Sequence, residues 1–246
     1  MHIPNGFLDP KMAGGLGLAS AGVLAYAVAK VRALVTSPAL QKAFGAVGSG
    51  IKSIGGDLKR TFTDFGQRLM IRMGLVGALV FAAQMFNFPV EKGTSGHLLG
   101  GVLAAVILGP WAGAIVIAVV LAVQSIFFAD GGILVLGANI FNMAVIGAIG
   151  GYYVYKLIRD KIGGMRGFYV GVAIAAWLSV FVASGLCALE LALSGTYGLA
   201  ETMKAMLSVH ALIGFGEAAI TVATLALLIK IDASMIACPA REGGEA

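Results

Sequence analysis

Six long apolar runs and one short one divide the chain. Residues 12–29, 69–86, 112–128, 133–157, 168–191 and 206–229 are each 17 to 25 residues long, the length an α-helix needs to cross the hydrocarbon core of a bilayer. The seventh run, residues 97–108, would be only about 18 Å long as a helix, and Gly109-Pro110-Trp111 breaks it. Irregular backbone at membrane depth must be buried in protein or line a cavity, so the short run beside this break is expected to line a site. Between the first two runs, Leu40, Phe44, Val47, Ile51, Ile54, Leu58, Phe62 and Phe65 recur at spacings of three and four. That pattern predicts an amphipathic helical stripe within residues 33–67. Gly45, Gly48, Gly50, Gly55 and Gly56 lower its helicity by up to about 1 kcal/mol each, so it orders against membrane or a partner, or else serves as a linker. Residues 87–96 and 129–132 read as turns from their Pro and Gly content, and residues 231–246 as a tail. The pattern predicts one all-α domain over residues 1–246, a polytopic membrane bundle of seven transmembrane helices.

Composition agrees. Hydrophobic residues make up 59% of the chain and charged residues 12%, with a mean hydropathy of +0.94, which excludes a soluble domain. The 36 glycines suit the close helix approach of membrane bundles. The net charge of +5 matters through its placement. With the amino terminus outside, fourteen of the seventeen Lys and Arg face the cytoplasm, and only Lys11, Lys92 and Lys204 lie outside. The positive-inside rule therefore puts Met1 outside and the carboxyl terminus in the cytoplasm. Lipid, rather than nucleic acid, is the expected surroundings of that charge. No basic n-region precedes the first run, so no signal peptide is expected. Cys187 and Cys238 form no metal or disulfide spacing. Gly45 to Gly50 lack the Gly-Lys-Ser/Thr ending of a phosphate-binding loop, so the chain is not expected to be an enzyme, and any ATP hydrolysis belongs to another subunit. Gly74, Ala78 and Ala82 form a small-residue ridge suited to partner docking or to packing within the bundle.

Candidate chemistry collects on the histidines. His2 follows the Met1 amine directly, and amine, His2 amide nitrogen and His2 imidazole can close fused five- and six-membered rings around one ion. In the predicted topology His97 and His210 reach the same outer layer as His2. One imidazole from His97 could complete four nitrogens. Planar nitrogen coordination suits Ni(II), Co(II) or Cu(II) better than zinc or magnesium, and binding would release protons. Thr94, Ser95, Asn139, Asn142, His210 and Glu217 are candidates for a supporting shell around the ligand imidazoles. Capping by Thr94 or Ser95, interhelical hydrogen bonds of the asparagines, and packing of Glu217 are their alternatives.

Four blocks carry a family likeness. Met1-His2-Ile3-Pro4-Asn5-Gly6-Phe7-Leu8, residues 87–100, Gly137-Ala138-Asn139-Ile140-Phe141-Asn142-Met143, and residues 210–218 resemble the CbiM/NikM family, the substrate-binding S components of energy-coupling factor (ECF) cobalt and nickel transporters. The likeness covers nearly the whole chain. It implies a seven-helix S component that binds Co2+ or Ni2+ as transported substrate through the Met1 amine, the His2 amide and imidazole, and the His97 imidazole. It further implies a transmembrane T component, two cytoplasmic ATPase subunits and, in some systems, a small auxiliary membrane subunit, of which no fused copy is expected here. Residues 33–67 are longer than the usual connection in that family. The expectation is high-affinity cobalt or nickel uptake, with a non-transporting membrane metal sensor or storage protein as the competing reading; a sensor would need a cytoplasmic output domain, for which the sequence offers no segment.

Overall fold

The computed structural model describes residues 1–35, 64–90 and 95–236. Most of the amphipathic stripe, Thr94 and the last part of the expected tail lie outside the described residues. Helix α1 (Pro10–Val35) begins where Asp9 Oδ1 accepts the amides of Lys11 and Met12 at 2.9 and 3.3 Å, an N-cap with Pro at the first helical position. Helix α2 (Asp64–Gln84) leads to a short antiparallel pair, β1 (Phe88–Pro89) with β2 (Ser95–Gly96), in which Phe88 faces Gly96. Helix α3 (Gly101–Leu108) follows, then α4 (Pro110–Phe127). Next comes a continuous rod made of α5 (Leu136–Ile140), a π-helical stretch (Phe141–Gly150) and α6 (Gly151–Ile162). Helices α7 (Gly164–Leu193) and α8 (Leu199–Asp232) complete the bundle.

Five helices are long and apolar enough to cross a membrane: Pro10–Val35, Gly66–Gln84, Pro110–Phe127, Gly164–Leu193 and Leu199–Asp232. Together with the relatives reported below, they make the chain a multi-pass membrane protein. Large apolar side chains stand exposed along α1, α2 and α8, among them Leu18, Leu75, Leu212 and Phe215, as befits helices whose outer faces meet lipid. Every residue of α3, in contrast, is buried. This helix is a central peg about 12 Å long, packed on α4, the π-helical stretch, α7, α2, α6 and α8.

The element boundaries correct the sequence reading at several helix ends, with α2 starting at Asp64, the rod running on to Ile162 and α7 starting at Gly164. The third helix starts at Gly101 rather than at His97, because Gly100 sits at φ +70°, outside the right-handed helical region. Residues 97–100 are therefore non-helical. Helix α8 starts at Leu199 rather than near residue 206, extended by a polar first turn in which the Thr202 hydroxyl donates to Gly198 O at 2.8 Å. Helix α1 continues beyond Ala29 to Val35, carrying Arg32 in its last turn, where a cation complements the helix dipole. Of the small-residue ridge, Gly74, Ala78 and Ala82 are all exposed on α2.

Small residues set the spacing. A Cβ on Gly137 would stand 2.4 Å from Gly17 Cα, and one on Gly113 would stand 2.7 Å from Ala105 Cα. Only glycine lets α1 meet α5, and α4 meet α3, that closely. Gly137→Ala should accordingly lower stability by about 1–3 kcal/mol through overpacking. Gly14→Ala, where an added Cβ meets nothing within 4 Å, should be neutral or slightly stabilising. Thermal unfolding midpoints in detergent check the contrast, and equal midpoints would contradict it.

Candidate metal site

An amino terminus usually frays, yet here residues 1–3 are buried, with Met1 and Ile3 fully inaccessible and His2 3% exposed. The anchoring comes from three elements. The Asn139 side chain on α5 behaves as a substitute peptide: its Oδ1 accepts the Ile3 amide at 2.9 Å and its Nδ2 donates to Ile3 O at 3.2 Å. The Gly132 amide donates to the same Ile3 carbonyl at 2.9 Å, and the Leu134 amide donates to Asn5 Oδ1 at 3.0 Å. On the far side, the Met1 amine donates to Ser95 O on β2, and the Thr196 hydroxyl donates to Phe7 O. The turn 129–132 reaches the terminus only because it is glycine-rich. A Cβ on Gly132 would stand 2.3 Å from Asn5 Oδ1, while Gly131, at φ +86°, lies against His2 Cβ and Cδ2. Ala129 also takes a positive φ, +53°, a left-handed conformation that costs an L-residue about 1–2 kcal/mol. This strained turn presents Asp130.

His2, His97 and His210 all enter the layer this produces. The His2 and His97 rings stack, with centroids 4.4 Å apart and planes 26° from parallel. His210 Cε1 stands beside Gly96, the residue before His97. Each ring turns Nδ1 to an oxygen that can only accept: His2 to Asp130 Oδ1 at 2.8 Å, His97 to Leu98 O at 2.7 Å, and His210 to Met206 O at 2.7 Å. A neutral imidazole that donates through Nδ1 leaves a bare lone pair on Nε2. All three Nε2 atoms are buried, with no hydrogen-bond partner among the described residues. Buried orphans of that kind need an explanation, and an ion is one.

The electrostatics favour neutral donors. Burial pushes the Met1 amine down to about 6, against the opposing pull of Cys187 and Asp130. Burial also holds the His2 imidazole below its ordinary value, against its hydrogen bond to Asp130. For Asp130, burial pushes the carboxyl up, but the bonds from His2 and Asn87 and the nearby charges outweigh it, leaving it below the usual range. Among the described residues, no group of three or more His, Cys, Asp and Glu side chains is arranged to hold a metal by itself. The terminal amine and the first backbone amides lie in the same buried layer as the His2 and His97 rings.

The supporting residues divide by what they hold. Both Glu217 oxygens accept backbone amides, Oε2 from Leu99 at 2.8 Å and Oε1 from Gly100 at 2.7 Å, and Gln84 Nε2 donates to Leu99 O at 2.7 Å. These bonds fix the non-helical segment that carries His97. Asn142 Nδ2 donates to Glu190 Oε2 at 2.8 Å, and the Cys187 thiol lies 3.8 Å from Met1 O. Ser95 contributes its carbonyl rather than its hydroxyl. Sequence reasoning missed Asp130, Glu190 and Gln84. Asp130 had one legible signal: it is the only carboxylate between Glu91 and Asp160. With His2, Asn5, Ser95 and Ser125, it lines an open cleft of about 500 Å³.

Comparison with known proteins agrees with this architecture. Residues 2–235 match the CbiM family model, described as the cobalt uptake substrate-specific transmembrane region. The putative fused nickel transport protein NikMN of Archaeoglobus fulgidus is 36% identical over 245 residues, which are 99% of this chain and 70% of that protein. The cobalt transport protein CbiM of Acetoanaerobium sticklandii is 31% identical over 185 residues, 72% of this chain and 75% of the relative. A solved truncated transition metal transporter superposes with a TM-score of 0.76 at 30% identity, covering 94% of this chain and 99% of the other. The S component of a bacterial ECF transporter shares the fold, with a TM-score of 0.51 at 18% identity over 67% of this chain and 97% of that one. The chain belongs to the CbiM family, the substrate-specific transmembrane region of cobalt uptake, and has the fold of an S component.

Proposed function

We propose that this chain captures Co(II) or Ni(II) with high affinity as the metal-binding S component of an ECF-type importer, and that the Met1 amine, the His2 amide nitrogen and imidazole, and His97 Nε2 are the ligands. The observation that carries the reading is the burial of a terminal amine in the same layer as His2 and His97, where His97 Nε2 is buried and has no hydrogen-bond partner among the described residues. A flexible terminus has no reason to be held this way by Asn139, Gly132 and Ser95 unless its position matters. Amine, deprotonated amide and imidazole supply strong in-plane donors, and His97 supplies a fourth; this set serves Co(II) and Ni(II) alike. Leu98 O, holding His97 Nδ1, fixes the tautomer that leaves Nε2 for the metal.

The topology fits capture from outside. Seven crossings would put the basic ends of α1, α6 and α8, with Arg32, Lys161 and Lys230, on the side opposite Met1, in keeping with the positive-inside rule. Inward release requires work on a site this well fastened. That work falls to a T component and two ATPase subunits, with an auxiliary membrane subunit where one is present.

Three outcomes test the ligand set. Inserting one alanine between Met1 and His2 breaks both chelate rings and should lower nickel affinity by at least a hundredfold, on the order of 2.7 kcal/mol, with the fold intact by circular dichroism; unchanged affinity would contradict the chelate. His97→Ala should weaken binding and shift the visible absorption of the bound ion, whereas an identical spectrum would remove His97 from the ligands. The pH profile carries a sign. The Met1 amine, at about 6 when buried against an ordinary value near 8, is already neutral at pH 7. The slope of log affinity against pH should therefore steepen by about one only below about pH 6, where the metal must also displace the amine proton. Competition titrations from pH 5 to 8 read this, and a break near pH 8 would show an exposed amine.

A further inference from the structure

The fused-ring chelate needs His2 Nδ1, since only that nitrogen closes a six-membered ring with the residue's own amide. Yet Nδ1 is the atom that lies 2.8 Å from Asp130 Oδ1, and a carboxylate can only accept, so Nδ1 carries the ring proton. The stacked rings of His2 and His97, 4.4 Å apart, also leave no place between them for an ion bound by both. Two independent features thus describe a ring stowed away from coordination. Resting on the ligand set proposed above, we infer that Asp130 is a latch: in the metal-free protein it holds His2 by Nδ1, and the incoming cation must break that bond before the chelate can close.

The surroundings suit a latch that its own substrate opens. Asp130 lines the open cleft through which a solvated ion would reach His2, and its side chain keeps 20% of its surface exposed. Asn87 Nδ2 holds the other oxygen, Oδ2, at 3.2 Å, while the backbone is set by the Asp130 amide bonding Gln124 O at 3.1 Å and by the left-handed residues on either side, Ala129 and Gly131. The carboxylate therefore stays in place when the imidazole leaves. A dication approaching Asp130 competes with the His2 N–H for the same oxygen. The charge that draws the ion in is also the acceptor that, once the ion engages it, releases the His2 N–H. The imidazole keeps one proton throughout, moving it by way of water from Nδ1 to Nε2, and Nδ1 then offers its lone pair to the metal. Asp130 is on this reading a positioning residue that sets the rate of capture, rather than a ligand.

With only three histidines in the chain, nitrogen-15 NMR of the histidine-labelled full chain in detergent reads the tautomers directly. Metal-free wild type should show His2 protonated on Nδ1. Nickel(II) should convert His2 to the Nε2-protonated form while His97 keeps its Nδ1 proton. Stopped-flow mixing with nickel(II) adds an independent reading: Asp130→Ala should bind at least about tenfold faster at saturating metal, the effect of removing one charge-assisted hydrogen bond. Equal saturating rates in the two proteins, or metal-free His2 protonated on Nε2, would overturn the latch and leave the ligand set standing, whereas nickel bound with His2 still protonated on Nδ1 would overturn the chelate as well. Failure of wild type to bind nickel(II) at all would overturn both.

Discussion

A buried amino terminus is the constraint on which the rest of the site depends. Taking Met1, His2 and Ile3 out of water strands their backbone polar groups, and a buried group left unpaired costs about 1–3 kcal/mol. The fold answers with Asn139 on both sides of Ile3, Gly132 on its carbonyl, and Ser95 on the terminal amine. These contacts come from three separate parts of the chain, so the terminus can be seated only when the β1–β2 pair, the 129–132 turn and α5 are all in place. The proposed metal site therefore requires all three of those elements to be in place.

Beneath it, the short fully buried α3 has a matching role. A helix of eight residues cannot reach the layer of Met1 and His2 by itself, and the remaining distance is covered by non-helical residues 97–100. Such backbone is tolerated inside a membrane protein only when its amides and carbonyls are satisfied by protein. Glu217 and Gln84 do this from α8 and α2. Helix spacing, polar satisfaction and ligand placement are one problem here: the device that lets the chain leave helical geometry at Gly100 also aims His97.

The membrane character was legible because hydrocarbon thickness leaves a direct mark on composition and run length. Five of the expected runs are long apolar helices, and the break at Gly109-Pro110 falls where expected, with Gly109 at φ +87°. Helix ends were less legible. Polar first turns such as the one from Leu199 carry no hydropathy signal, and the start of α3 depends on a left-handed Gly100 and a tertiary carboxylate. His2 and His97 stood out because histidine is rare in this chain and the terminus has its own chemistry. Asp130 did not, because an Asp in a Gly-rich turn looks like turn chemistry until its partner is seen, 128 positions away in sequence. Asn139 and Glu217 were visible as polar residues in apolar runs, but their targets are backbone groups, which no side-chain pattern encodes.

The central claim is that the terminal amine and the neighbouring amide are metal ligands. X-ray absorption of the nickel-loaded chain with an unblocked terminus examines the bound ion itself. Four short nickel–nitrogen bonds in a planar arrangement are predicted, with the planar signature lost when the amine is acetylated. A six-coordinate, oxygen-rich nickel that acetylation leaves unchanged would contradict the account.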